Sequence, residues 1–355
     1  MGKKYTLTTL IMIFLLLFTP TIMAKTVELN LDKALEMTLK DNLSLKIAQK
    51  NLESKEIQFK KSKAENLLNQ SNYNELQAEY SYINAKKSYI DTAHNLLNQT
   101  VQQYTNIMFK EKNLVIVGKQ IILNERLLAE IKAQYEVGEK SQLDILEQQI
   151  ELNDLLQQKE ELANEYEQLK TELKVHLGIN KNDEIRLSEL KEPEMIKLNE
   201  QQISEIALKN SWEIKLNELN LELAEVDKKR KEVVSSSELD KKITDINVET
   251  AQLQLEKQKE DMKNKTRELY DQISNLESNI ELQKDKIQKA KENYRILVEQ
   301  NNAGLITKNN LYQGEISLLQ SEQQLFSSYM SYYIQVQQLE NFMYPTSGVL
   351  ENEEQ

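Results

Sequence analysis

Apolar residues recur along most of this chain at steps of three and four, with polar and charged residues filling the positions between. The clearest seam runs through Met262, Thr266, Leu269, Ile273, Leu276 and Ile280, then through Ile287, Ala290, Tyr294 and Leu297. That alternation is a coiled-coil heptad pattern and predicts one helix from about Leu239 to Asn302. A second long helix is predicted from about Tyr73 to Val137, with isolated Gly118 as a place to kink, since glycine costs about 1 kcal/mol against alanine inside a helix. After Gly138, the positions Leu143, Leu146, Ile150, Leu162, Tyr166, Leu169 and Leu173 trace a further helix, and Gly178 fits its C-terminal cap. Nearer the N-terminus, Leu31, Leu35, Leu39, Leu43 and Ile47 predict a helix over 31–66, with Asp32 as its N-cap.

The pattern occurs twice. Aligning Gly138 with Gly304 places Ser141 on Thr307, Asp144 on Asn310, Ile145 on Leu311 and Ile150 on Ile316. The first helix recurs over 200–233 at an offset of 169, which sets Leu39-Lys40-Asp41 on Leu208-Lys209-Asn210. Two weak points, residues 66–74 and 234–240, fall at corresponding places in the halves. Residues 179–199, marked by Pro193, form the linker. The chain therefore divides into a first helical repeat over 25–178, the linker, a second repeat over 200–345 and a disordered tail over 346–355. The expected fold class is all-α: tandem antiparallel coiled-coil hairpins, each built as short helix, long helix, short helix.

Helix lengths constrain the assembly. Each long helix of roughly 64 residues would span about 95 Å, and the two shorter helices of its repeat, roughly 70 residues together, about 105 Å. Short helices stacked end to end could line each long one, giving four columns per chain. Such a layer is too thin to bury both faces, so oligomerisation is expected.

Residues 1–24 have the layout of a signal peptide, with Lys3 and Lys4 ahead of the apolar run Leu10–Phe18 and a cleavage point after Ala24. No later stretch resembles a transmembrane helix. The chain holds 7 Gly, 3 Pro and 29% charged residues, a composition suited to long half-exposed helices. A net charge of −12 argues against nucleic acid as a partner. Without cysteine there are no disulfides and no thiolate metal sites.

Nothing in the sequence points to an enzyme or a cofactor. The two histidines, His94 and His176, are far apart; Glu172 and His176 share a helix face, but two ligands do not make a metal site. His176 reads as a helix-end residue near the C-terminal dipole. Trp212, the single tryptophan, and the cluster Tyr329, Tyr332 and Tyr333 read as packing.

The twofold repeat, the opening LxLDKALEMTLKDNLSLKIAQ, the pattern Y-x-x-G-x-x-S-x-x-D-I-L from Tyr135 to Leu146, its partner from Ala303-Gly304 to Leu311, and VHLGI at 175–179 together resemble the TolC-type outer membrane efflux proteins. The resemblance implies an exported homotrimer in the periplasm or outer membrane, closed into a hollow helical tube. Its partners would be a periplasmic adaptor protein and an inner-membrane efflux transporter. The turns at Val137-Gly138-Glu139 and Ala303-Gly304-Leu305 would then be the adaptor-contacting tips. Asp144 and Glu147, with Asn310 and Gln313 in the second repeat, would stand at a pore constriction, where carboxylates form cation-selecting rings. Asp144 equally reads as a helix-capping residue. One departure stands out: the family inserts two β-strands per repeat, yet NLLNQSNYN and VSSSELD hold no alternating membrane strand. A passive duct and a coiled-coil scaffold without a channel are therefore both open.

Overall fold

The computed structural model describes residues 26–69, 72–234 and 237–345; the expected signal peptide and C-terminal tail lie outside the described residues. Strand β1 (Thr26–Leu29) precedes helices α1 (Leu31–Asp41), α2 (Leu43–Asn69), α3 (Asn72–Glu136) and α4 (Gln142–His176). Strand β2 (Glu184–Leu187) leads into α5 (Glu200–Asn210), α6 (Trp212–Val233), α7 (Glu238–Asn302) and α8 (Lys308–Met343). Both long helices, α3 and α7, run for 65 residues, or about 98 Å. Gly118 does not interrupt α3.

Neighbouring elements define one layer. Helices α2 and α4 both pack on α3, and α6 and α8 both pack on α3 and on α7. The order across the layer is therefore α2/α4, α3, α6/α8, α7, with the paired short helices stacked end to end. Apolar clusters hold adjacent columns together. Val117, Ile121, Leu128 and Leu152 join α3 to α4, while Leu269, Ile273, Ile280, Tyr332 and Leu339 join α7 to α8. The contact between repeats is mixed: Ile116, Leu123 and Ile316 pack among the pairs Asn98–Asn341, Asn113–Gln323 and Lys119–Glu315.

Three local expectations need correction. The helix over 31–66 breaks at Asn42, where ψ of 126° leaves the helical region. Its equivalent over 200–233 breaks at Ser211, 169 residues on. At each break a side chain closes the joint with the stacked helix: Asn42 Nδ2 donates to the His176 carbonyl at 3.3 Å, and Asn210 Nδ2 to the Met343 carbonyl at 2.8 Å. Because the break rotates the register, Leu45 and Leu52 become buried, whereas Leu43 and Ile47 stay exposed. The N-cap of α1 is Asn30 rather than Asp32, accepting the Lys33 N–H at 2.8 Å. Asp32 sits in the first turn, where its charge suits the helix dipole.

The linker is also more than a spacer. Its strand β2 pairs in parallel with β1, Thr26 opposite Glu184 and Leu29 opposite Leu187. Leu29 and Ile185 bury against Tyr104, Leu173 and Phe326. The Tyr104 hydroxyl lies 3.0 Å from the Leu29 carbonyl and 2.6 Å from that of Ser188, and burial pushes its pKa up to about 12. Four-residue strands with two apolar side chains each are too short to leave a periodicity.

At the joint of α4 with α1 and α2, a polar chain is buried. The Thr38 and Thr100 hydroxyls lie 2.6 Å apart, and His176 Nε2 lies 2.8 Å from Thr100 Oγ1. Burial lowers the His176 pKa, against an opposing contact with the Leu96 carbonyl. The unfolded chain therefore binds this proton more readily than the folded one. Stability is complete above the ordinary histidine pKa of about 6.5 and declines as pH falls below it. His94 shifts in the same direction, again through burial. Urea unfolding measured from pH 8 down to pH 5 should show falling stability, with a shallower slope in His176→Gln.

Glycine gives a second test with opposite signs. Gly138 has φ of +82°, and an added Cβ there would meet nothing within 4 Å, so the whole cost of Gly138→Ala is backbone strain of about 1 kcal/mol. Gly118 is helical with equally open space, so Gly118→Ala should stabilise by about 1 kcal/mol. Chemical denaturation of the two variants measures both.

Candidate functional site: the glycine tips

The two α-hairpin tips share one backbone design. At the first, the Gly138 N–H donates to the Tyr135 carbonyl at 3.0 Å and the Glu139 N–H to that of Gln134 at 2.9 Å. At the second, Gly304 donates to Asn301 at 3.0 Å and Leu305 to Gln300 at 2.9 Å. These paired bonds form the Schellman closure of a helix, which needs a left-handed residue at the position that Gly138 and Gly304 occupy with φ of 82° and 70°.

The next helix then starts with a capping box in each repeat. Asp144 Oδ2 accepts from the Ser141 N–H and lies against the Ser141 hydroxyl, both at 2.7 Å, and Ser141 Oγ accepts the Asp144 N–H at 3.2 Å. Asn310 Oδ1 does the same for Thr307, accepting from its N–H at 3.2 Å and its hydroxyl at 2.7 Å. Bonds from Ser141 and Lys140 hold the Asp144 carboxyl down at about 2. Capping therefore accounts for Asp144, and the aligned Asn310 reproduces it without charge. Glu147 and Gln313, one turn further on, are exposed and hydrogen-bond to nothing among the described residues.

The tips stand side by side. Arg126 Nε donates to Asn309 Oδ1 at 3.3 Å, and Asn309 Nδ2 to Glu130 Oε2 at 2.8 Å, tying the end of α3 to the start of α8. Arg126 also sits over the Tyr312 ring, 5.4 Å from its centroid. Of the six tip residues, Val137 and Leu305 present large aliphatic groups, 71% and 74% exposed. Glu139 and Ala303 are exposed as well.

The edges of the layer carry a feature that sequence reasoning did not separate from the core. Leu143, Leu146 and Ile150 lie outward on α4, whereas Ile145, Leu152, Leu155 and Leu162 pack on α3. At the opposite edge, α7 exposes Leu239, Ile243, Ile246 and Leu253 at heptad spacing. The signal was a second apolar stripe on helices whose first was already assigned.

No protein-family model and no curated protein matches the sequence. Solved structures do match. The Campylobacter jejuni CmeC outer membrane channel aligns with a TM-score of 0.63 at 14% identity, over 91% of this chain and 88% of that one. The Vibrio cholerae outer membrane protein VceC aligns with a TM-score of 0.59 at 10% identity, over 88% and 95%. A Pseudomonas aeruginosa membrane protein aligns with a TM-score of 0.62 at 11% identity, over 88% and 90%. The chain has the TolC-type fold. The two halves share a further feature at the end remote from the glycine tips. There α2 and α3 are separated by two residues, and α6 passes to α7 through residues 234–237, so no membrane strand occupies either place among the described residues.

The capping assignment is testable. Asp144→Asn should keep the tip folded, as Asn310 does in the second repeat. The substitution should also remove a carboxyl that otherwise titrates near pH 2, which carboxyl-carbon NMR resolves. Wild-type tip stability should be full above the ordinary carboxylate pKa near 3.8 and fall as pH drops towards 2.

Proposed function

We propose that the chain is the protomer of a trimeric helical duct in the cell envelope. The duct acts as a passive conduit for substrates driven by an inner-membrane transporter through a periplasmic adaptor. The observation that carries this reading is the pair of unpartnered edges: exposed aliphatic stripes on α4 and α2 at one side, and on α7 at the other. Edge-to-edge contact between different columns is heterologous, and such contacts close into rings when the rotation closes. The likeness of the four-column layer to outer membrane channels favours closure.

In that ring the tips gather at one mouth. Val137 and Leu305 supply apolar contacts for the adaptor's hairpin, flanked by Gly138, Glu139, Ala303 and Gly304. Carboxylate rings at the constriction draw on Glu147 more than Asp144, whose Oδ2 the cap engages and whose Oδ1 accepts from Lys140. Asn310 and Gln313 keep the second repeat neutral there. Energy comes from the transporter. A second reading, an extracytoplasmic scaffold, is favoured by one feature, the helical ends standing where membrane strands would begin.

Native mass spectrometry with negative-stain microscopy of the purified protein decides between them. The duct requires a trimer with a central hole and a length on the order of 100 Å. A solid monomeric or dimeric rod leaves the scaffold. In the duct, replacing Ile243 and Ile246 with lysine should weaken association by tenfold or more, roughly the burial of one aliphatic side chain. Helical content should be unchanged, because both side chains are more than half exposed in the protomer, at 56% and 52%.

A further inference from the structure

The contact between repeats also accounts for the free edges of the layer. Helix α3 carries α6 and α8 along one flank. Its counterpart α7, 166 residues on, leaves that flank open, as α2 and α4, the counterparts of α6 and α8, leave theirs. The aliphatic groups exposed at these edges fall where the inner contact is buried. Ile116 and Ile316 pack together inside the chain, and the same places at the edges hold Leu282 and Ile150, each 52% exposed. Tyr80 and Leu216 share a second inner cluster, and Ile246 and Ile47 stand exposed in their places.

One pair of positions changes its chemistry. Ile83 and Leu219 are buried together in that second cluster, whereas the corresponding edge positions hold Glu249 on α7 and Lys50 on α2. Both are exposed in the protomer. Glu249 bonds to nothing among the described residues, and Lys50 reaches Glu53 on its own helix at 2.6 Å. The charge of the two edges is complementary more widely. Helix α2 holds six lysines and three glutamates, while residues 238–256 of α7 hold five acids and two lysines. The first edge is therefore net +3 and the second net −3.

We propose that a second copy of this chain seats its α2/α4 edge on α7 in the register that α6 and α8 take on α3, and that Glu249 there pairs with Lys50 of that copy. The inference rests on the edge-to-edge association argued above and adds its register and its ion pair. Opposite charges at one level give the seam a specificity that aliphatic stripes lack, since an apolar side chain accepts almost any apolar neighbour. A slip of one turn along α7 would set Lys50 against Ile246 or Leu253 and leave Glu249 without its cation. Inside the chain the covalent connection already fixes the register, and Ile83 and Leu219 serve there without charge.

Charge exchange tests the pairing, with association of the full chain followed by sedimentation and native mass spectrometry over a dilution series. Lys50→Glu and Glu249→Lys should each weaken association by about tenfold, because each sets like charges against one another in every contact. The two together should restore it, whereas Lys50→Glu with Glu260→Lys, about 16 Å further along α7, should not. Installing the inner pair, Lys50→Leu with Glu249→Ile, should tighten association about tenfold or more. Circular dichroism should be unchanged throughout, since Lys50 and Glu249 are exposed in the protomer. A wild-type trimer indifferent to either reversal, or one in which the two losses simply add, overturns the register and the ion pair and leaves the duct standing. A wild-type chain that stays monomeric at every concentration overturns both.

Discussion

Lateral support of α3 is the constraint on which the architecture depends. A 65-residue helix with apolar residues on two flanks gains its stability from what packs along it, not from its own propensity. Here the support comes from separate pieces. Helices α2 and α4 cover one flank, α6 and α8 the other, and α1 adds to the middle. The short helices have lengths that suit this role, with 27 and 35 residues on one side and 22 and 36 on the other. The outer helix α7 receives support on one side only. Its opposite face shows where the layer ends and a neighbour would begin.

Most of this is legible in the sequence, because coiled-coil packing writes itself as a periodicity of three and four. The α7 seam can be followed residue by residue, and Met262, Thr266, Leu269, Ile273, Ile280 and Ile287 are all buried. Both turns are legible because Gly138 and Gly304 align. What escapes has physical reasons. The breaks at Asn42 and Ser211 lie inside apolar runs and have no proline or glycine to mark them. The apolar spacing through Leu43 and Ile47 continues by coincidence after the backbone has rotated. The parallel pair β1–β2 joins residues more than 150 positions apart, and nothing local announces such a contact.

The tips show how far a candidate site can be read from spacing alone. Asp144 carries two meanings in the sequence, a charged ring and a cap, and its alignment with Asn310 leaves both standing. Geometry separates them in the protomer: the same two-atom bridge to residue 141 or 307 serves either side chain, and only the carboxylate adds charge. Glu147 has no such local duty. Position in the repeat tells where to look, and hydrogen bonding tells which oxygen is already in use.

The interrupted columns have a mechanical consequence. Helices α3 and α7 cross the level of the Asn42–His176 and Asn210–Met343 joints without a break, while the columns beside them stop and restart there. A helix resists bending and torsion through its continuous ladder, whereas a butt joint closed by a single side-chain bond resists neither strongly. Torque applied at the glycine tips thus passes beyond that level along two rods of the four. The other two act as hinged struts, so one end of the layer can twist while the far end keeps its shape.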